Sequence, residues 1–323
     1  MSTYTNLVFK GGGVKGIAYA GALFQLNQMG ILTQIKRVAG TSAGAITATL
    51  LALGYTASEI EDIVVNQMDF ASFMDKGWLP GNVNRFLKGF GWYKGDAFKQ
   101  WLGERVKAKT GSVLTNFNDL KTMVDEQPGQ FRELYVIATN LNRQYPELFS
   151  VEDNASTTIV DAVRMSMSIP LFFQSVTWNS NVMVDGGMAY NYPIDLFDKK
   201  QYAEKNESMI TVEQGSSPID VNLETLGLWL DTKAGIDNLR NRRPKPPKEI
   251  KNIKEYSASL VDYMMEMANM AHLESYDWKR SILIDTLDVK TTDFEKAREK
   301  APELLASGKQ GVIDYFKTVN PQP

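Results

Sequence analysis

The pentapeptide Gly40-Thr41-Ser42-Ala43-Gly44 has the G-x-S-x-G spacing of a nucleophile elbow. In such a turn the serine oxygen is exposed, and the glycines on either side let a strand and a helix approach closely. A helix N-terminus behind Ser42 adds positive potential where negative charge will develop. A turn of small residues without catalytic purpose would have the same composition. Upstream, Gly11-Gly12-Gly13-Val14-Lys15-Gly16 offers bare backbone N–H groups that can converge on a phosphate or an oxyanion. It lacks the Gly-Lys-Ser/Thr ending of a P-loop and fits G-x-G-x-x-G only in its loosest spelling. Oxyanion binding beside a nucleophile is therefore the better reading, with nucleotide or phosphate binding as the alternative and tight strand–helix packing as the plain one.

A serine nucleophile needs a base. Asp185 precedes Gly186 and Gly187 at the expected end of a strand, where a partly desolvated carboxylate can take a proton directly. Turn capping is the other common use of Asp before Gly. The chain has one histidine, His272, and the order Ser42, Asp185, His272 mimics a Ser–acid–His triad. However, Met265 to His272 reads as helix interior, whereas a triad histidine normally sits on a loop.

These residues need elements to hold them. Leu7-Val8-Phe9 reads as a buried strand, Ile17 to Met29 as a helix capped by Gly30, Ile35 to Ala39 as a strand broken by Gly40, and Ala43 to Leu53 as a helix closed by Gly54. Strand–helix alternation with glycine turns predicts a parallel, doubly wound sheet. Thr56 and Glu59 form a capping box. Helices are expected at Gly95–Lys109, Thr158–Met167, Ser257–Tyr276 (Met-rich) and Pro302–Lys317. Strands are expected at Leu134–Thr139, Glu147–Val151, Leu171–Trp178 and Asn181–Val184.

At 323 residues and 43% apolar content the chain can bury a sizeable core. Lys and Arg number 35 against 38 Asp and Glu, a net of −3, so a nucleic-acid partner is not expected. The absence of cysteine and the single histidine exclude disulfides, thiolate metal sites and any site needing two histidines; no metal or cofactor is expected. No secretory signal or apolar run of transmembrane length is present. The expected location is cytoplasmic, with export lacking a cleaved signal left open. Residues 231–255 carry eight Lys or Arg against four Asp or Glu. Together with the apolar Val221–Leu230 segment they could touch an anionic membrane, or they could form a solvated loop beside a packed element.

The ordered set of Gly11–Gly16 loop, Gly40–Gly44 elbow and Asp185-Gly186-Gly187 turn resembles patatin-like phospholipases. Ala138-Thr139-Asn140, Ser168-Ile169-Pro170 and Asn191-Tyr192-Pro193 are similar too, as is Ile282 to Phe294 followed by a helix. The resemblance covers most of residues 5–200 and, less closely, 280–317; residues 215–280 carry none of it. Met165 and Met167 stand where smaller residues are expected. The resemblance implies a three-layer α/β/α fold with a mostly parallel central sheet and a helical C-terminal region. One domain over residues 1–323 would hold a core at about 5–200, a variable lid or appendage at about 215–280 and a closing strand and helix at about 281–317. It implies Ser42 as nucleophile and Asp185 as base without histidine. The amides of Gly12, Gly13 and Val14 would form the oxyanion hole, with Lys15 steadying the loop or attracting an anionic head group. The expected activity is lipid acyl hydrolysis of the phospholipase A or lysophospholipase type. The oligomeric state is not set by the sequence.

Overall fold

The protein is described here by a computed structural model covering residues 3–68, 72–73, 90–214, 217–241, 243–244, 247, 249–273 and 276–319. In chain order the elements are β1 (Asn6–Phe9), α1 (Ile17–Gln28), β2 (Arg37–Thr41), α2 (Ala43–Ala52), α3 (Ala57–Asp62), β3 (Gly91–Tyr93), α4 (Asp96–Thr110), α5 (Phe117–Glu126), β4 (Glu133–Asn140) and β5 (Tyr145–Phe149). Then follow α6 (Ile159–Ser166), β6 (Leu171–Phe173), β7 (Val176–Trp178), β8 (Asn181–Asp185), β9 (Met209–Gln214), β10 (Ser217–Asn222), β11 (Thr225–Asp231), α7 (Lys233–Arg240), α8 (Ile253–His272), β12 (Ser281–Asp285), α9 (Phe294–Glu299) and α10 (Ala301–Val319).

The central sheet runs β12-β11-β1-β2-β4-β8-β7, with β5 also on β4. The β12, β11, β1, β2 and β4 neighbours pair in parallel; β8, β7 and β5 join antiparallel. Alternation along each strand sorts the two faces. Leu7, Phe9, Val38, Leu134, Val136, Leu226, Leu228 and Leu230 enter the larger core with α1 and α2. Val8, Ala39, Tyr135 and Trp229 enter the opposite core, covered by Tyr192, Ile194, Phe197, Tyr202 and Ile236. That second layer consists largely of short 3-10 turns between Gly186 and Ser208, followed by α7. α1 and α10 pack backbone to backbone: a Cβ on Gly21 would stand 2.0 Å from the Leu305 carbonyl, and one on Gly308 2.0 Å from that of Ala18.

Three expectations need correction. The strand predicted at Ile35–Ala39 sits two residues later, because the ladder continues until Gly40 opposes Phe9 and Thr41 opposes Ile137. Leu171–Trp178 is two strands, β6 pairing with β3 and β7 with β8. Within the stretch expected as a lid or appendage, Thr225–Asp231 lies inside the main sheet between β1 and β12, with Leu226, Leu228, Trp229 and Leu230 fully buried. That apolar segment therefore cannot be the part that touches a membrane. Among the described residues no helix is long and apolar enough to cross one, and no cluster suited to holding a metal occurs.

Candidate active site

β4 is the template that brings Ser42 and Asp185 together. Its residues 136–140 pair with β5, its residues 133–137 with β2 and its residues 138–140 with β8. A strand has two flanks, and β5 overlaps both other partners, so β2 and β8 share the remaining flank end to end. β2 stops with Thr41 opposite Ile137, and β8, running the other way, stops with Asp185 opposite Ala138. Ser42 and Asp185 therefore leave their strands at the same point, although 143 residues separate them in the chain. The contact is tight: a Cβ on Gly186 would stand 2.9 Å from Thr41 Cγ2 and 2.3 Å from the Ile137 carbonyl.

Ser42 has φ 55° and ψ −126°, a strained conformation for a residue with a side chain. The surroundings hold it there. Its N–H donates to Ser166 Oγ at 2.8 Å, and its carbonyl accepts from Ala45 N–H at 2.8 Å in the first turn of α2. The glycines of the elbow serve close approach. A Cβ on Gly40 would stand 2.3 Å from the Gly44 carbonyl, and one on Gly44 2.4 Å from that of Phe9. Both collisions are with backbone, which cannot move aside cheaply. Gly44→Ala is expected to destabilise the fold by about 3 kcal/mol or more, which urea denaturation would measure.

Asp185 is fully buried. Its N–H donates to the Ser168 carbonyl at 2.9 Å, its carbonyl accepts from Thr139 Oγ1 at 2.9 Å, and its Oδ1 accepts from Gly187 N–H at 2.8 Å. Oδ2 has no hydrogen-bond partner among the described residues. Burial pushes the carboxyl up to about 7, against the lowering effects of the adjacent Ser42 hydroxyl and the Gly187 amide. The two side chains are thus neighbours, yet the Ser42 hydroxyl is directed at Met167 Sδ, 3.6 Å away. Sulfur is a weak acceptor and competes poorly with a neighbouring carboxylate for the hydroxyl proton.

The glycine loop brackets the elbow. A Cβ on Gly11 would approach the Thr41 carbonyl to 3.3 Å, and one on Gly16 would approach Ala43 Cβ to 3.2 Å. Among the described residues the amides of Gly12 and Gly13 take no acceptor. Val14 differs from expectation: its N–H donates to the Thr291 carbonyl at 3.1 Å, so the third expected oxyanion donor is already engaged. Gly11 N–H is likewise spent on the Asn191 carbonyl at 3.0 Å. A phosphate cradle would lose both amides, which disfavours the nucleotide reading. Gly186 and Gly187 form the turn after Asp185, and Lys15 lies half-buried in the 3-10 turn Gly13–Gly16. His272 is the last residue of α8; its side chain lies outside the described residues.

Sequence reasoning missed Ser166 as part of the site and noted Asn191 only within the Asn191-Tyr192-Pro193 similarity, with no role. Asn191 is 2% exposed, its Nδ2 donates to Asn269 Oδ1 at 3.2 Å, and its Oδ1 is unpartnered among the described residues. Met167, expected only as an oversized wall residue, touches the serine oxygen itself. Near the site, a cavity of about 480 Å³ is lined by Trp92, Tyr93, Ile169, Phe172, Val261, Phe294 and others, with Thr291 and Lys290 also on its wall.

The comparisons agree with one another. A sequence model of the family described as patatin-like phospholipase matches residues 7–198. YqhO of Bacillus subtilis (strain 168) is 31% identical over 97% of this chain and 98% of its own length. The probable lipid hydrolase 463L of invertebrate iridescent virus 6 is 27% identical over 65% of this chain and 69% of its own. Among solved structures, VipD from Legionella pneumophila aligns with a TM-score of 0.62 at 16% identity, covering 98% of this chain and 67% of that one. The type III effector protein ExoU aligns with a TM-score of 0.52 at 16% identity, covering 98% of this chain and 53% of that one. At such identities these two likenesses concern the fold.

Proposed function

The chain belongs to the patatin-like phospholipase family of lipid acyl hydrolases, and from that premise we propose that it cleaves carboxylic esters of acyl lipids, as a phospholipase A or lysophospholipase, through Ser42 and Asp185. The observation that carries this reading is the convergence of β2 and β8 on one flank of β4. It buries a hydroxyl beside a carboxylate that has one oxygen without a hydrogen-bond partner among the described residues.

Asp185, ionised, takes the proton of Ser42 as Oγ attacks the ester carbonyl. The tetrahedral oxyanion is held by the amides of Gly12 and Gly13, and the positive end of α2 lies directly behind Ser42. Protonated Asp185 then gives its proton to the departing alcohol. Water, deprotonated by the same carboxylate, cleaves the acyl-enzyme and restores Ser42. The 480 Å³ cavity takes the acyl chain along Ile169, Phe172 and Val261. Lys290 on its wall suits an anionic head group.

Fluorophosphonate labelling of the wild-type protein, with the modified residue located by mass spectrometry, tests the reading directly. Adduct on Ser42 supports it, and absence of adduct on Ser42 ends it. A second consequence concerns pH. The active form of Asp185 is the ionised one, and its pKa is about 7. The expected kcat/KM therefore falls about tenfold per pH unit below that value and levels off above it. A profile already flat from about pH 5 upward would remove Asp185 as the base.

A further inference from the structure

α8 presents three faces. Val261, Met265, Ala268 and Asn269 point inward and are buried. Val261 and Met265 pack with Ile169, a Cβ on Gly187 would stand 3.0 Å from Met265 Cε, and Asn269 bonds Asn191. This face covers the turn that follows Asp185. Glu255, Asp262 and Glu266, spaced i, i+7 and i+11, form a separate acidic row. The third face is apolar and exposed. Ile253, Tyr256, Leu260, Tyr263, Met264, Met267 and Met270 follow one another at helical spacing, and all are at least 40% exposed.

Seven of the sixteen exposed large apolar residues among those described lie on this one helix. Isolated exposed apolar residues are ordinary, but a continuous stripe marks a contact surface. The same helix contributes Ser257, Ala258, Val261 and Asp262 to the wall of the 480 Å³ cavity, so stripe and cavity wall share one helix. Residues 240–251, which lead directly into α8, carry Arg240, Arg242, Arg243, Lys245, Lys248 and Lys251 against Glu249 alone, a net of +5.

We propose that the exposed stripe of α8 docks on an anionic lipid–water surface, with the basic stretch 240–251 supplying the electrostatic attraction and the stripe inserting its apolar side chains. The choice of occupant rests on the lipid acyl hydrolase reading together with this charge complementarity. Docking in this way would set the cavity mouth against the layer that holds the substrate.

The test uses the full chain and a triple variant, Leu260→Gln, Tyr263→Gln and Met267→Gln. All three positions are exposed and outside the catalytic machinery, so the variant is expected to melt like the wild type. Sedimentation is measured with vesicles of phosphatidylcholine alone and with added phosphatidylserine. Hydrolysis is measured on a soluble short-chain ester and on vesicle lipid. The wild type should bind the anionic vesicles, and bind them less well in high salt or without phosphatidylserine. The triple variant should bind at least about tenfold more weakly and lose vesicle hydrolysis in step, while its short-chain hydrolysis is unchanged. Equal binding by both proteins, no binding by the wild type, or equal binding to uncharged vesicles would overturn the proposal. So would a wild-type dimer in sedimentation velocity that the triple variant abolishes, since the stripe would then belong to a second copy. Wild type that binds vesicles but hydrolyses neither substrate overturns the hydrolase reading and leaves docking in place; hydrolysis of vesicle lipid without binding overturns docking alone.

Discussion

Ser42→Ala is expected to eliminate fatty-acid release, with a loss of at least about ten-thousand-fold in kcat/KM, and to eliminate fluorophosphonate labelling. The size follows from the covalent route. Without Oγ there is no acyl-enzyme, and water must attack directly from a position the site was not shaped to hold. The loss should not reflect misfolding. Ser42 is 1% exposed, and among the described residues its oxygen hydrogen-bonds the Met167 sulfur and lies near Asp185. Alanine suits φ 55° no worse than serine does, and the Ser166 bond runs to the backbone N–H and survives. Melting curves should overlay. A variant that keeps a tenth or more of wild-type turnover would show that the nucleophile lies elsewhere.

Asp185→Asn should separate activity from stability in opposite directions. An amide cannot take the serine proton, so kcat is expected to fall by about a thousandfold or more. Stability should instead rise at alkaline pH. The carboxyl titrates at about 7 in the folded protein, against an ordinary value of 3.8. Between those values the folded state holds the proton and the unfolded chain does not, so wild-type stability is complete below about pH 4 and is lost as pH rises through about 7. The difference of about 3 units corresponds to the order of 4 kcal/mol. Asparagine never ionises, and its Oδ1 can still accept the Gly187 N–H. The variant should therefore melt above the wild type at about pH 8 and come level with it near pH 4. A variant less stable than wild type at about pH 8 would mean that the buried charge is compensated by a partner.

The residues proposed for the chemistry stand out in the sequence because each needs an unusual local chain. Gly40 and Gly44 are required by backbone approach, Asp185 by a strand end followed by glycines, and Gly12 and Gly13 by uncovered amides. Local spacing also placed α1, α2 and the capping box at Thr56. What stayed hidden depends on distant partners. Leu226 to Leu230 is a continuous apolar run, and such a run reads alike as an inner strand, a buried helix or a surface-seeking segment. Only its pairing with β1 and β12 decides. The loss of the Val14 amide is of the same kind, since the acceptor is a carbonyl 277 residues away. Ser166 belongs to the site through a contact that no short motif records, and the Asn191-Tyr192-Pro193 similarity does not reveal that Asn191 pairs with Asn269. The Met-rich helix expected at Ser257–Tyr276 has a packed face and, separately, an exposed one, a division that its composition alone does not reveal.

The insertion of β11 between β1 and β12, with α10 locked onto α1 at Gly21 and Gly308, has a consequence for what counts as a unit. The motif-bearing segment 7–198 holds every residue assigned to the chemistry, yet β1 within it is completed by a strand from the far end of the chain. Severed from that strand, β1 would offer a raw edge of unpaired amides and carbonyls, open to pairing with any other molecule. The motifs proposed for catalysis are therefore not a cassette to be cut out and shuffled. Their sheet is complete only with its C-terminal strands.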